Sequence, residues 1–176
     1  MNKTNYLSLS GLSMFLAGVI MLLSETIGGH IAKIAVPLSF FVGGIFALLF
    51  SQANKHHNIA KNFHLLQGLG MIAFAVVIGT MAHSLEGFLK FVTFFLMVYG
   101  LFELMFSFSV LRTKYKIDKS ILATRLVVGL INFIGAFVVF MTLLKNPYKG
   151  LLVAGILVVL GGLGFLFFAN RIKNLS

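Results

Sequence analysis

Polar residues divide the chain into six long apolar segments. The segments cover residues 7–24, 31–50, 65–82, 88–111, 123–144 and 150–169. About 20 helical residues cross a hydrocarbon layer ~30 Å thick, and each segment is close to this length. Only helices or closed barrels satisfy every backbone hydrogen bond in lipid, and barrel strands are much shorter. The pattern therefore predicts an all-α membrane protein with six transmembrane helices.

The composition agrees with exposure to lipid. Hydrophobic residues make up 59% of the 176 residues and charged residues 10%, a balance that a soluble globule of this size cannot bury. There is no cysteine, which excludes disulfides, thiolate metal ligands and a cysteine nucleophile. Phosphate-binding glycine loops and dinucleotide fingerprints are also absent from the sequence. We expect one membrane domain over residues 1–176, with no enzyme activity, catalytic residue or cofactor.

Lysine and arginine are distributed unevenly between the two ends of the predicted helices. An even number of spans places both termini on one side, and the loops of that side carry ten of the 14 basic residues. The opposite side carries Lys33, Lys90, Lys145 and Lys149. Because cytoplasmic loops are enriched in such residues, we expect both termini in the cytoplasm. The net charge of +10 then reflects this bias rather than nucleic-acid binding. The first segment lacks a signal-peptidase cleavage pattern, so we expect it to be retained as a helix.

Glycines recur in a frame that appears three times. The first glycine of each unit precedes a leucine in an odd-numbered segment, and a second glycine follows 32 residues later. The pairs are Gly11 with Gly43, Gly68 with Gly100, and Gly129 with Gly161. The frame predicts three tandem helical hairpins in parallel orientation, at about residues 8–54, 65–111 and 123–169. Because helices in lipid associate through small residues, we expect these glycines at helix contacts, within one chain or in a homo-oligomer.

One carboxylate, Glu103, lies inside the fourth segment, about eight residues or 12 Å from its cytoplasmic end. An acidic residue deep in a bilayer costs ~3 kcal/mol, so it needs a compensating partner. Asn132 and Arg125 of the fifth segment are the candidates. Asn132 favours a protonated carboxyl group, whereas Arg125 favours the anion. The alternatives for Glu103 are a structural hydrogen bond, a proton or ion step, and no special role, and the first three segments add only Gln67 to a polar path.

Four titratable residues come from the first two outer turns: Glu25, His30, His83 and Glu86. One helical turn would stack His83 on Glu86. Imidazole and carboxylate groups together bind divalent metals or titrate between pH 5 and 7. The alternatives are solvated turn residues, an acid sensor and a metal site, and solvated residues with no metal are our expectation. On the inner side, we interpret three histidines as part of a hydrated loop: His56, His57 and His64.

The chain resembles the HdeD-like acid-resistance membrane proteins, a family of small bacterial inner-membrane proteins built from two-helix repeats. The resemblance covers about residues 8–169 and rests on the length, the six segments and the glycine frame. The residues of that frame are Gly11, Gly43, Gly68, Gly100, Gly129 and Gly161. The resemblance implies a location in the bacterial inner membrane and a role in survival under acid or envelope stress. It brings no catalytic residues.

Two other functions stay open at the level of sequence. One is a small-solute or ion transporter or channel, oligomeric and with an unidentified substrate, that uses Glu103. The other is a scaffold that works through its glycine-lined helix faces, for which we expect a stably bound protein and no flux. The lipid bilayer is the partner that the pattern itself indicates.

Overall fold

The computed structural model describes residues 3–54, 58–113, 118–143 and 145–175. In these ranges the chain is helical throughout, with short connections and no strand. The helices are α1 Lys3–Leu22, α2 Ser24–Ile27, α3 Gly29–Ala53, α4 Asn58–Met81, α5 Leu85–Thr113, α6 Lys119–Leu143 and α7 Pro147–Leu175. All except the four-residue α2 are long and apolar enough to cross a membrane. The predicted all-α architecture with six apolar spans is confirmed.

Several helices extend beyond the predicted apolar segments. The helix α4 begins at Asn58, seven residues before the apolar run at 65, and α7 ends at Leu175, six residues after the run at 169. Hydropathy marks only the part of a helix that suits hydrocarbon, whereas backbone hydrogen bonding continues through the polar turns beside it. Because of these extensions, polar residues that flank the apolar segments are also helical.

The chain reverses between α1 and α3 through the short α2 and one glycine. Gly28 has a φ of +94°, a backbone conformation that residues with a side chain rarely adopt. Close to this reversal, Nζ of Lys33 donates a hydrogen bond of 2.9 Å to the carbonyl oxygen of His83, between α4 and α5. We call this end of the bundle the turn end. The opposite end, where α1 begins and α7 ends, is the terminal end.

The six long helices form a closed ring. Each packs against its neighbours in the sequence, and α7 completes the ring by packing against α1. The helix α5 also contacts α7 across the ring. Apolar side chains fill the interior, and the fully buried ones include Leu7, Met14, Phe40, Leu89 and Leu96. The most extensive helix contacts are α1 with α7, α3 with α4, and α5 with α6.

Each of these three pairs crosses at glycines from both helices. A methyl group built on Gly100 of α5 would lie 2.7 Å from the carbonyl oxygen of Gly129 in α6, and the reverse distance is 3.0 Å. Gly44 of α3 and Gly68 of α4 are related in the same way, at 2.8 Å in both directions. Backbone therefore meets backbone at both crossings, which only glycine permits.

The α1–α7 crossing has two such glycine pairs. Methyl groups built on Gly11 and Gly18 would lie 3.0 and 2.8 Å from the carbonyl oxygens of Gly162 and Gly155, respectively. The later glycine of α1 meets the earlier glycine of α7, so the two helices are antiparallel. Their glycines are seven residues apart in each helix, which keeps both pairs on one face through two helical turns.

The predicted glycine frame differs from these crossings at two positions. Gly44 and Gly162 make the close contacts, one residue after the predicted Gly43 and Gly161. Consecutive helical residues point about 100° apart, so the earlier glycine of each pair faces other neighbours. A methyl group on Gly43 would meet Met71 and the Ser10 carbonyl, and one on Gly161 would meet Met14 and Tyr99, so both of these glycines are also tightly enclosed.

Candidate functional site

A carboxylate lies inside the ring, well away from both ends. Glu103 is ten residues before the end of α5 at Thr113, or about 15 Å along the helix, and is 4% exposed. Nε2 of Gln67 in α4 donates a hydrogen bond of 2.9 Å to Oε1 of Glu103. Nη1 of Arg125 in α6 lies 3.2 Å from Oε2 of Glu103. Three helices therefore contribute side chains to one buried charge pair.

Aromatic rings enclose the guanidinium group of Arg125. Its central carbon lies 4.1 Å from the ring centroid of Phe106 and 4.1 Å from that of Phe168. The planar guanidinium stacks on aromatic faces while its edge remains available for hydrogen bonds. The two rings therefore pack against the cation, whose N–H groups reach Glu103 and His64.

The interpretation of His64 as part of a hydrated loop was wrong. His64 lies inside α4 and is fully buried, with its Nε2 3.0 Å from Nη2 of Arg125. Its ring stacks on Phe168 at an interplanar angle of 17° and meets the edge of Phe50 at 86°. Because α4 begins at Asn58, the turn that carries His64 is helical and faces the ring interior. The other two histidines of the predicted loop, His56 and His57, lie outside the described residues.

The contact with Arg125 determines which nitrogen of His64 carries the proton. Arginine offers only donors, so Nε2 of His64 must accept the hydrogen bond. A neutral imidazole with an accepting Nε2 has its proton on Nδ1. Among the described residues, neither His64 Nδ1 nor Arg125 Nε has a hydrogen-bond partner. We refer to His64, Gln67, Glu103 and Arg125 together as the buried polar cluster.

Asn132, the second candidate partner of Glu103, bonds elsewhere. Its Nδ2 donates a hydrogen bond of 2.9 Å to the carbonyl oxygen of Val128, one turn earlier in α6. Its Oδ1 is buried without a hydrogen-bond partner among the residues that the structure describes. Of the two alternatives for Glu103, the structure therefore favours Arg125, the partner that stabilises a carboxylate anion.

Very little free volume adjoins the buried polar cluster. One cavity of about 10 Å³ touches Glu103, Arg125 and Tyr99, and a second of about 10 Å³ touches Gln67 and Tyr99. A volume of this size holds one water molecule at most. The hydroxyl of Tyr99 donates a 3.3 Å hydrogen bond to the carbonyl oxygen of Gly161. The cluster is therefore enclosed by protein.

The outer titratable residues have a different environment. Glu25, His30, His83 and Glu86 are all exposed. Oε1 of Glu86 lies 2.7 Å from Nζ of Lys90, and His83 precedes the start of α5 at Leu85, so the two are not on one helical turn. Over the described ranges, no group of three or more histidine and acidic residues is arranged to hold a metal ion.

Six apolar helices with most of their polar side chains at the ends or inside the ring are suited to a multi-pass membrane protein. Comparisons with protein-family models, with curated proteins and with solved structures each found no match for this chain.

Proposed function

We propose that this chain is a non-enzymatic, multi-pass protein of the bacterial inner membrane that contributes to acid or envelope stress tolerance, with both termini in the cytoplasm. The six apolar helices support insertion in the bilayer, and the excess of lysine and arginine in the loops predicted to be cytoplasmic supports the orientation. The resemblance to the HdeD-like proteins supports the stress role. In this proposal, the buried polar cluster is the element that responds to acid.

The observation that carries the proposal is the 3.0 Å contact between Arg125 and His64. This contact requires a neutral imidazole, because a doubly protonated ring has no lone pair to accept the guanidinium proton. A proton taken up by His64 would place two cations side by side and occupy the lone pair that accepts this hydrogen bond. The contact between Arg125 and His64 would then be lost.

Few charges face the cluster to offset such a proton. The helix α5 supplies Glu103 and the phenol of Tyr99, α6 supplies Arg125, and α4 supplies Gln67 beside His64. From α3 and α7, the neighbouring rings are apolar: Phe50, Phe165 and Phe168. With one anion and one cation, the cluster is neutral as it stands. One added proton leaves a net positive charge in an apolar interior, which is unfavourable.

The mechanical consequence follows from which helices the contacts join. The His64–Arg125 bond links α4 to α6, and the Glu103–Arg125 pair links α5 to α6. Loss of the first contact frees the terminal half of α4 from α6. Acidification would therefore loosen the terminal end of the ring while the glycine crossings keep the helix pairs together.

The test compares the purified protein with His64→Gln in lipid nanodiscs at pH 7.5 and 5.0. Glutamine offers an oxygen acceptor to Arg125 and does not titrate, so the variant should keep the bond and lose its pH dependence. We expect the Tm of the unsubstituted protein to fall by about 2–4 °C over this range, as ~1 kcal/mol would produce in a chain of this size. The double variant His30→Gln with His83→Gln should retain this fall, because both side chains are exposed.

Survival of a strain that depends on the protein extends this test to cells. We expect His64→Gln to reduce survival at low pH and leave growth at neutral pH unchanged, with the His30/His83 variant as the matched control. Equal pH dependence of the Tm in His64→Gln and in the unsubstituted protein would contradict the role of the cluster. Loss of survival in the control variant alone would assign sensing to the exposed histidines.

Transport through Glu103 has less support. A carboxylate that passes ions or solutes needs a hydrated path, and the cavities that adjoin this one are each about 10 Å³. Transport would become the better-supported function if proteoliposomes showed flux and Glu103→Gln abolished it while the fold was retained.

A further inference from the structure

The helices α3 and α4 form a groove on the outside of the ring. They touch at Gly44 and Gly68 and are farther apart towards the turn end, where a methyl group built on Gly79 would lie an ordinary 3.7 Å from Pro37. The groove between them has a volume of about 310 Å³. Its apolar lining comes from Ile34, Pro37, Leu38, Phe41, Ala75 and Val76.

A second cavity, of about 390 Å³, lies at the turn end. Residues of α2, α3, α5 and α7 line it, including Glu25 of α2, Phe88 of α5 and Tyr148 of α7. Phe88 is buried, whereas Glu25 and Tyr148 are exposed. Lys33 lines both this cavity and the groove, so the two spaces meet at its side chain.

The two charged residues of this cavity have hydrogen-bonding capacity to spare. Nζ of Lys33 donates one hydrogen bond, to the carbonyl oxygen of His83, and an ammonium group has three donors. Within the described ranges, the carboxylate of Glu25 has no ion pair and accepts no hydrogen bond. One cavity therefore offers an ammonium group that can bind an anion and a carboxylate that can bind a cation.

We propose that the groove and the turn-end cavity together bind one phospholipid with a primary-amine headgroup. An acyl chain lies in the groove, the phosphate accepts hydrogen bonds from Lys33, and the headgroup ammonium donates to Glu25. From Lys33 to Phe41 the groove follows about 12 Å of α3, enough for roughly the upper half of an acyl chain. Lys33 is four residues from the start of α3, the depth at which helix ends meet lipid phosphates.

Charge complementarity selects the headgroup. Lys33 alone would attract any phospholipid, including those with a net negative charge. The carboxylate of Glu25 in the same cavity repels a net negative headgroup and accepts hydrogen bonds from a primary amine. A quaternary amine lacks N–H donors, so the site prefers ethanolamine to choline.

The apolar groove identifies the source of the headgroup as a membrane lipid. Ile34 and Leu38 are 70% and 60% exposed, and both face the groove that opens to the surroundings of the ring. In a bilayer this surface meets acyl chains, and a soluble zwitterion would leave it unused. A lipid fills both spaces with one molecule.

Native mass spectrometry of the full-length protein, released from nanodiscs with equal amounts of phosphatidylethanolamine, phosphatidylglycerol and phosphatidylcholine, tests the proposal. We expect one phosphatidylethanolamine to be retained at least about fivefold over each of the others. Lys33→Met should remove retention of all three lipids. Glu25→Gln should abolish the preference while one lipid remains bound.

Bulk in the groove provides an independent arm of the experiment. Gly79→Leu should expel the acyl chain and reduce retention at least about fivefold, although 3.7 Å to Pro37 leaves room for the protein to fold. The matched controls are Ala73→Leu, at an exposed position of α4 outside the groove, and Lys90→Met, an exposed lysine near the start of α5. Both should retain phosphatidylethanolamine, and the Tm of every variant reports on folding.

Three outcomes would overturn the proposal. One is equal retention of the three lipids by the unsubstituted protein. Another is unchanged retention in Lys33→Met or in a correctly folded Gly79→Leu. The last is competition by glycerophosphoethanolamine at the concentration at which the intact lipid competes, since this compound has the headgroup and no acyl chain.

Discussion

Arg125 in α6 and His64 in α4 are hydrogen-bonded at 3.0 Å inside the ring, although 61 residues separate them in the sequence. The helix between them in the sequence, α5, supplies Glu103, whose carboxylate pairs with the other terminal nitrogen of the guanidinium group. One arginine thus connects three helices, and its removal should weaken the packing of all three.

Loss of either member of the buried charge pair should destabilise the fold strongly. Glu103→Gln leaves Arg125 as an unpaired cation beside two aromatic rings, so we expect a loss of about 3 kcal/mol in the free energy of unfolding. Unfolding in mixed micelles of detergent and dodecyl sulfate measures this quantity. The matched control is Glu86→Gln, which breaks the exposed Glu86–Lys90 pair and should cost under ~0.5 kcal/mol.

A double-mutant cycle separates the pair from its surroundings. Arg125→Met should also destabilise, and the double variant with Glu103→Gln should lose less than the sum of the single losses, by about 2 kcal/mol. Additive losses would show that Glu103 and Arg125 do not interact in the membrane-embedded protein.

The glycine crossings should not tolerate a methyl group. In Gly100→Ala the new carbon would lie 2.6 Å from the backbone nitrogen of Phe133 and 2.7 Å from the carbonyl oxygen of Gly129, so α5 and α6 must separate. We expect a loss of about 2 kcal/mol, measured by the same unfolding titration. Gly70→Ala is the control, because its methyl group would lie 3.5 Å from Phe102, an ordinary contact. Helix propensity alone favours alanine over glycine, so a similar loss in both variants would contradict close packing at Gly100 as the specific cause.

The start of α6 should show a pH dependence in a lower range than that of the buried polar cluster. The backbone N–H of Ser120 donates a hydrogen bond of 2.9 Å to Oδ1 of Asp118, which holds the pKa of Asp118 below its usual value of 3.8. A lowered pKa means that the carboxylate stabilises the fold above pH 3.8 and that this contribution is lost as the pH falls through the lowered value.

The variant Asp118→Asn tests this sign. Asparagine also caps helices but does not titrate, so below about pH 4 the stability of the variant should decrease less than that of the unsubstituted protein. Thermal unfolding between pH 5 and 2.5 is the measurement. A decrease of the same size in Asp118→Asn would exclude Asp118 as its source.

The sequence was sufficient to predict the six long helices, because an apolar run of about 20 residues has few alternatives in lipid; the four-residue α2 was not predicted. It was less informative about which glycines meet. At Gly43–Gly44 and Gly161–Gly162, both residues are glycine and hydropathy does not distinguish them. Only the rotation of each helix against its neighbour shows that the second glycine of each pair lies at the crossing.

The buried polar cluster was predicted in part. Glu103 and Arg125 stood out because charges inside apolar segments need partners, but His64 was assigned to a loop because it precedes the apolar run at 65. A helical spacing does identify it. His64, Gln67, Met71, Ala75 and Ile78 are separated by three or four residues, and all five are buried on one face of α4. The periodicity of small, polar and apolar residues together was a better guide than hydropathy alone.

The tight crossing of α1 with α7 has a consequence for biosynthesis. The ribosome makes α1 long before α7, so Gly11 and Gly18 remain without their partners until Gly155 and Gly162 have entered the membrane. During that interval the translocon or the surrounding lipid must cover the glycine face of α1, because the ring of helices is incomplete until α7 is inserted. In a chain arrested after α6, the face of α1 that packs against α7 would stay exposed. Membrane proteases that degrade unassembled segments could then attack the chain until synthesis resumes.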